Sequence, residues 1–218
     1  MSDIAANIND ILLDLPVGTR LVAVSKFRPV EELEAAYSAG QRFFAESRPA
    51  EFFSKVEALP KDIEWHFIGH LQTNKLKLVV PYASLIQSVD SFHLLDAIQR
   101  FCAENGLNCN VLLEVHVAME ETKQGFSEEE ILSVDWGNVQ RTEYPNVRIC
   151  GIMGMASNTD NTQRIDADFC KIKEIFDKIK SANPGLEHFK ELSIGMSHDW
   201  KTAIRHGATM VRIGSAIF

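Results

Sequence analysis

Short runs of apolar, β-branched residues alternate along the chain with segments in which apolar residues recur every three or four positions. This alternation is typical of a parallel sheet in which each strand is followed by a helix. Eight runs predict strands, at residues 21–25, 42–45, 65–68, 84–89, 111–117, 147–155, 189–194 and 210–213. Because no hairpin signal accompanies them, we predict a closed (β/α)₈ barrel, a TIM barrel, rather than an open sheet.

The helical segments between these runs carry an apolar stripe on one face. The stripe is clear in residues 33–37, 94–102 and 169–179, and Ser127 with Glu130 forms the pattern of a capping box. Residues 4–12 also have helical spacing, and we expect this helix to close the bottom of the barrel. No Gly- or Ser-rich linker divides the chain, so residues 1–218 are predicted to form a single domain.

Charge and composition narrow the possible functions. Lys and Arg total 22 and Asp and Glu total 30, a net charge of −8 that disfavours a general role on nucleic acid or anionic membrane. No apolar run approaches the roughly 20 residues that span a bilayer, and the N-terminus lacks a basic leader. We therefore expect a cytoplasmic protein. Its four cysteines form no C-x-x-C pair and are expected to be core thiols.

Lys26 directly follows the first predicted strand, at the end of a barrel strand where chemistry is expected. An apolar barrel rim would partly desolvate the amine and favour its neutral form. A neutral amine can form an imine with an aldehyde cofactor, whereas an ammonium cannot. The alternative is a lysine that caps the strand and extends into solvent.

Two further segments suit a phosphate group. Residues 193–197 end the seventh strand in a glycine turn before a short helix, whose N-terminus and Ser197 hydroxyl could bind an anion. The alternative is that Ser197 is only the N-cap. Gly214 and Ser215 follow the last strand, and loops after strands seven and eight often bind phosphate in such barrels. Arg212, within that strand, requires an acceptor, and a structural salt bridge is the alternative explanation.

Three other sets of residues are less specific. His66 and His70 lack the helical spacing and the carboxylates of a metal site, and we predict no metal. Met153 and Met155 are expected to pack in the core. Glu114 and His116 alternate on one strand and could form a polar layer under a ligand.

Four motifs occur in order along the chain: VAVSK at 22–26, WHFIGHLQTNK at 65–75, GMS at 195–197 and VRIGSAIF at 211–218. With them the sequence closely resembles the pyridoxal phosphate homeostasis proteins, the YggS/PROSC family, over nearly its whole length. The resemblance implies a fold-type III barrel like that of alanine racemase, with pyridoxal 5′-phosphate (PLP) as a Schiff base on Lys26. It also implies a phosphate site at Ser197, Gly214 and Ser215, with Arg212 facing the pyridine nitrogen.

The chain departs from the usual family pattern at two places. Ser47 stands where the family has an asparagine, and His198 replaces one acid beside the phosphate serine. The chain also stops at Phe218, slightly short of the usual family end.

Three functions are compatible with these residues. The resemblance implies a PLP carrier for intracellular homeostasis that supplies apoenzymes without turnover, and we expect it to be a monomer with no catalytic residue. The carrier function is favoured because no second domain is expected after strand eight to deliver a second base. The first alternative is a PLP-dependent racemase or decarboxylase that uses Lys26 alone. The other is a barrel enzyme for phosphorylated sugars without an imine.

Overall fold

Eight parallel strands form a closed barrel in the computed structural model, which describes residues 3–117 and 124–218. Each strand pairs with the next one along the chain, and the last pairs with the first. The strands are β1 (Arg20–Val24), β2 (Phe43–Glu46), β3 (Glu64–Phe67), β4 (Leu85–Val89), β5 (Cys109–Val115), β6 (Val147–Gly154), β7 (Glu191–Ser193) and β8 (Met210–Ile213). The predicted (β/α)₈ fold is confirmed, and every predicted run overlaps one of these strands.

Helices cover the outside of the barrel. They are α1 (Ile4–Asp14), α2 (Val30–Ser38), α3 (Pro49–Ala58), α4 (Leu76–Val79), α5 (Phe92–Asn105), α6 (Glu128–Leu132), α7 (Trp136–Thr142), α8 (Thr162–Ala182) and α9 (Trp200–Arg205), with a 3₁₀ turn at Thr73–Lys75. The capping box is present at the start of α6, where the Glu130 amide donates to Ser127 Oγ over 3.2 Å and the Ser127 amide donates to Glu130 Oε2 over 2.9 Å.

Helix α1 lies beside the barrel, so the prediction that it closes the bottom of the barrel is wrong. It packs against α2, and Asp14 at its end pairs with Lys201 of α9 over 2.6 Å. Ile8 and Ile11 are buried, whereas Leu13 is 83% exposed. A helix with a single apolar stripe covers one surface, and here that surface is the outer wall of the barrel.

The strands have two apolar faces, because successive side chains point to opposite sides of a strand. One face packs against the helices and forms the larger core. The other fills the barrel interior with a small cluster, composed of Val22, Ala45, Leu85, Leu112, Met153 and Met210. Met153 therefore packs as expected, and Met155 lies against the same cluster.

All four cysteines are free thiols. Cys102 and Cys109 are buried as expected, but Cys170 is exposed, so its assignment to the core is wrong. Cys170 lies on the solvent face of α8, opposite the buried Ile172, Ile175 and Ile179. None of the helices in the described ranges is both long and apolar enough to cross a bilayer.

Candidate functional site

Lys26 lies at the carboxyl-terminal mouth of the barrel, two residues beyond the end of β1. Its side chain is exposed, so the prediction that the barrel rim desolvates the amine is wrong. The reason is local: β1 ends at Val24, and the chain turns outward at Phe27, which is 64% exposed and has a φ of 65°. The amine is accessible from solvent at the end of the barrel where sites are usually built.

The ends of β7 and β8 meet beside β1. The Gly214 amide donates to Ser197 Oγ over 3.2 Å, which joins two of the predicted phosphate residues. A Cβ atom on Gly214 would lie 3.0 Å from the Val24 carbonyl oxygen, so glycine lets this turn approach the strand that precedes Lys26. Ser215 follows and is exposed. The Ser197 hydroxyl that accepts this bond still has its own hydrogen to donate to an anion.

Ser197 is not the N-cap of α9, so that alternative is wrong. The cap is Asp199, and its Oδ1 accepts a hydrogen bond from the Met196 amide over 2.5 Å. Helix α9 has only six residues, and the buried carboxylate of Asp199 stands at its start without a capping hydrogen bond to its amides. His198 is exposed, with Nε2 3.4 Å from Asp199 Oδ2. The candidate donors for an anion that the fold brings together are the Ser197 hydroxyl and the β8 turn.

Arg212 is buried in the barrel and binds neutral oxygens. Nη1 donates to the Ser193 carbonyl over 2.8 Å and to Ser193 Oγ over 2.6 Å, and Nη2 donates to the Gly154 carbonyl over 3.0 Å. Among the described residues it has no partner at salt-bridge distance, so the predicted alternative of a structural salt bridge is wrong. Burial lowers the pKa of Arg212 to about 10, and the group stays cationic at neutral pH.

A buried chain of polar side chains leads from Arg212 through the barrel. Ser193 Oγ donates to Gln87 Oε1 over 2.6 Å, and Gln87 Nε2 lies 2.8 Å from His66 Nδ1. Burial, helped by the charge of Arg20, lowers the pKa of His66 to about 3. The imidazole is therefore neutral, and its Nδ1 accepts from Gln87. Gln87 and Ser193 were not among the site residues predicted from the sequence.

His66 and His70 face different surroundings. His70 is half-exposed at the mouth of the barrel, with Nδ1 3.2 Å from Asp90 Oδ2, whereas His66 is inside the barrel. Within the described part of the chain, no group of three or more His, Cys, Asp or Glu side chains could hold a metal ion.

Glu114 is buried near Arg212, on the interior face of β5. Burial and the charge of Asp90 raise the pKa of its carboxyl to about 7, and the charge of Arg212 opposes them. Perturbed acids of this kind cluster at functional sites. His116, two residues further along and just beyond the end of β5, is half-buried. Glu114 adds a titratable group to the same barrel interior as Arg212.

Gly69, in the WHFIGHLQTNK motif, packs against the backbone of Ser47. A Cβ atom there would lie 2.0 Å from the Ser47 carbonyl oxygen, closer than any van der Waals contact. Gly69→Ala is expected to lower the free energy of unfolding by about 1–3 kcal/mol, because the ends of β2 and β3 must separate. Urea unfolding measures this change. Gly185→Ala is the matched control, since a Cβ atom on Gly185 would meet no atom within 4 Å, and an equal loss in both variants would contradict the contact.

A protein family and several known proteins match this chain over nearly its whole length. The alanine racemase N-terminal domain family matches residues 1–218. The pyridoxal phosphate homeostasis protein of Aquifex aeolicus is 39% identical over 201 residues, which are 91% of this chain and 86% of that protein. PipY of Synechococcus elongatus, solved with PLP bound, is 32% identical and has a TM-score of 0.89, and the match covers 99% of both chains.

Alanine racemase from Corynebacterium glutamicum shows the same fold, with a TM-score of 0.77 at 17% identity. This chain spans 99% of its own length and 60% of the racemase in that match. At this identity the likeness concerns the fold alone. Family membership is shown by the homeostasis proteins, which match at higher identity, and by the full-length match to the domain family. The chain belongs to the pyridoxal phosphate homeostasis proteins, within the alanine racemase N-terminal domain family.

Proposed function

We propose that this chain binds PLP at the carboxyl-terminal mouth of the barrel, as a Schiff base on Lys26, and takes part in intracellular PLP homeostasis. The observation that carries this proposal is the 3.2 Å contact between the Gly214 amide and Ser197 Oγ, beside the strand that leads to Lys26. It puts anion donors and an accessible amine at one mouth of the barrel. The PLP bound in the related PipY structure supports the binding of PLP by this chain.

The residues present suit the chemical groups of PLP. The phosphate would be held by the Ser197 hydroxyl and the turn at Gly214 and Ser215, and the exposed amine of Lys26 is accessible to the aldehyde. A guanidinium has five N–H donors, and the contacts of Arg212 with described protein oxygens use three of them, two on Nη1 and one on Nη2. We assign Arg212 to the pyridine nitrogen, where a fixed cation keeps the ring unprotonated and makes it a weak electron sink.

We propose further that the chain acts as a carrier without turnover and supplies PLP to apoenzymes. The relatives named as homeostasis proteins support this role. Lys26 is the one group we assign to covalent attachment, and a carrier needs no second base. Transfer would be followed as the activity recovered by a PLP-dependent apoenzyme after it is mixed with the loaded protein.

A PLP-dependent racemase or decarboxylase is the second candidate, favoured by one observation. Glu114 is a buried acid with a pKa of about 7, which suits a general acid or base near neutral pH. Incubation of the loaded protein with each L-amino acid, followed by chiral analysis, distinguishes the two functions. The carrier predicts no conversion above the rate of free PLP. Faster conversion that Glu114→Gln abolishes would overturn the carrier and establish the enzyme.

A further inference from the structure

A buried ion cluster lies between the ends of β1 and β2 and helix α3. Lys55 Nζ donates to Glu46 Oε1 over 2.6 Å, to Glu51 Oε1 over 2.8 Å and to the Ser25 carbonyl over 2.8 Å. Lys55 and Glu46 are buried, whereas Glu51 is partly exposed. The barrel strands and the helix are thus joined by charge-assisted hydrogen bonds just outside the mouth.

The cluster binds the backbone on both sides of Lys26. Before it, the Ser25 carbonyl accepts from Lys55, and Ser25 Oγ donates to Glu46 Oε1 over 2.6 Å. After it, the Phe27 amide donates to Glu51 Oε1 over 2.7 Å. Because Glu51 and Lys55 are themselves paired, the residues on both sides of Lys26 are hydrogen-bonded to the same ion cluster.

The backbone at Phe27 requires such support. Its φ of 65° is in the left-handed region, which costs a residue with a side chain about 1–2 kcal/mol. Strained residues persist where the surrounding structure fixes them, and they are frequent at functional sites. Here the hydrogen bond to Glu51 fixes the amide, and the Arg48 guanidinium lies 4.3 Å from the centre of the Phe27 ring.

Lys55 is itself unsuited to bind an aldehyde. Its ammonium has three hydrogens and three acceptors, two of them carboxylates, so each hydrogen is used. The charged form cannot attack a carbonyl carbon. Buried ion pairs of this kind are also weak evidence for stability, because desolvation offsets their attraction. A role in positioning accounts for the cluster better than a role in reactivity or stability.

We propose that Lys55, Glu46 and Glu51 are positioning residues for Lys26, which hold both of its flanking peptide groups so that its amine meets the PLP aldehyde in a fixed orientation. This inference rests on the proposed attachment of PLP to Lys26. Its chemical consequence concerns the rate of imine formation, since a displacement of about 1 Å in a reacting group can cost up to about 100-fold in rate.

The test uses Glu51→Gln in the full chain. This variant preserves the size of the side chain and replaces the anion that joins Lys55 to the Phe27 amide. Lys55→Met is less informative, because it leaves carboxylates buried without their cation and is expected to unfold the protein. Asp62→Asn is the matched control: Asp62 accepts from Tyr37 and pairs with Arg42 at the surface, away from this cluster.

Two ligands separate positioning from general damage to the site. Schiff base formation is followed by stopped-flow absorbance with PLP, and binding without an imine is measured with pyridoxamine 5′-phosphate, which has no aldehyde. We expect Glu51→Gln to slow Schiff base formation about tenfold with unchanged pyridoxamine 5′-phosphate affinity. Asp62→Asn should match the parent in both the rate of Schiff base formation and the affinity for pyridoxamine 5′-phosphate.

The result that overturns this inference is a parent-like rate in Glu51→Gln, or a slower rate accompanied by an equal loss of pyridoxamine 5′-phosphate binding. Failure of the proposed function gives a different result, because the parent itself would then form no Schiff base on Lys26.

Discussion

Lys26→Ala is expected to abolish the visible absorbance that PLP acquires as a Schiff base on the protein, with little change in the fold. The effect on absorbance is complete because we assign the covalent bond to this amine alone. The effect on stability is small, within about 0.5 kcal/mol, since the side chain is exposed. Absorbance titration with PLP and urea unfolding of the same preparation measure the two quantities.

The matched control for this variant is Lys75→Ala. Lys75 is also exposed and belongs to one of the four motifs, but it lies in the 3₁₀ turn after β3. This variant should bind PLP like the parent. In Lys26→Ala, weak binding through Ser197 and the β8 turn should survive, with a spectrum like that of free PLP. Retention of the Schiff base spectrum in Lys26→Ala would refute the assignment.

Glu114→Gln is expected to change how stability depends on pH by about 3 kcal/mol. Burial raises the folded-state pKa of Glu114 from 4.5 to about 7. Between these values the folded protein holds a proton that the unfolded chain has released, so the free energy of unfolding falls as pH rises. A shift of this size corresponds to about 3 kcal/mol, at about 1.36 kcal/mol for each pKa unit. A glutamine at position 114 does not titrate, so the free energy of unfolding of the variant does not fall with pH for this reason.

The measurement compares the two proteins by urea unfolding at pH 4 and pH 8. The advantage of Glu114→Gln over the parent should be greater at pH 8 than at pH 4 by about 3 kcal/mol. His66 acts in the opposite direction, because its pKa is lowered to about 3 and its contribution is lost as pH falls from 6.5. Both proteins contain His66, so the difference between them reports Glu114. A difference independent of pH would show that Glu114 titrates normally.

The fold and the outline of the site were predictable because they depend on local patterns. Strand-length runs that alternate with amphipathic segments specify the barrel, and motifs at strand ends mark the mouth. The contact between Ser197 and Gly214 follows from this logic, since neighbouring strands end side by side. The exposure of Lys26 did not follow, because it depends on β1 ending at Val24 and on the turn at Phe27.

The buried polar groups were harder to predict. Gln87 pairs with Ser193, 106 residues away, and only the closed barrel brings the two together. A signal was present, since Gln87 and Ser88 interrupt an apolar strand. Glu51 and Lys55 gave no such signal, because an acid and a lysine four residues apart are typical of an exposed helix surface. Their burial depends on how α3 packs against the ends of β1 and β2.

The central claim is that Lys26 holds PLP covalently, and one measurement tests it most directly. The protein is loaded with PLP, reduced with borohydride to make the imine permanent, digested and mapped by mass spectrometry. We predict a single modified site at Lys26, with Lys55 unmodified because its ammonium is buried among acceptors. Modification at another lysine in place of Lys26, or no stable modification, would contradict the claim.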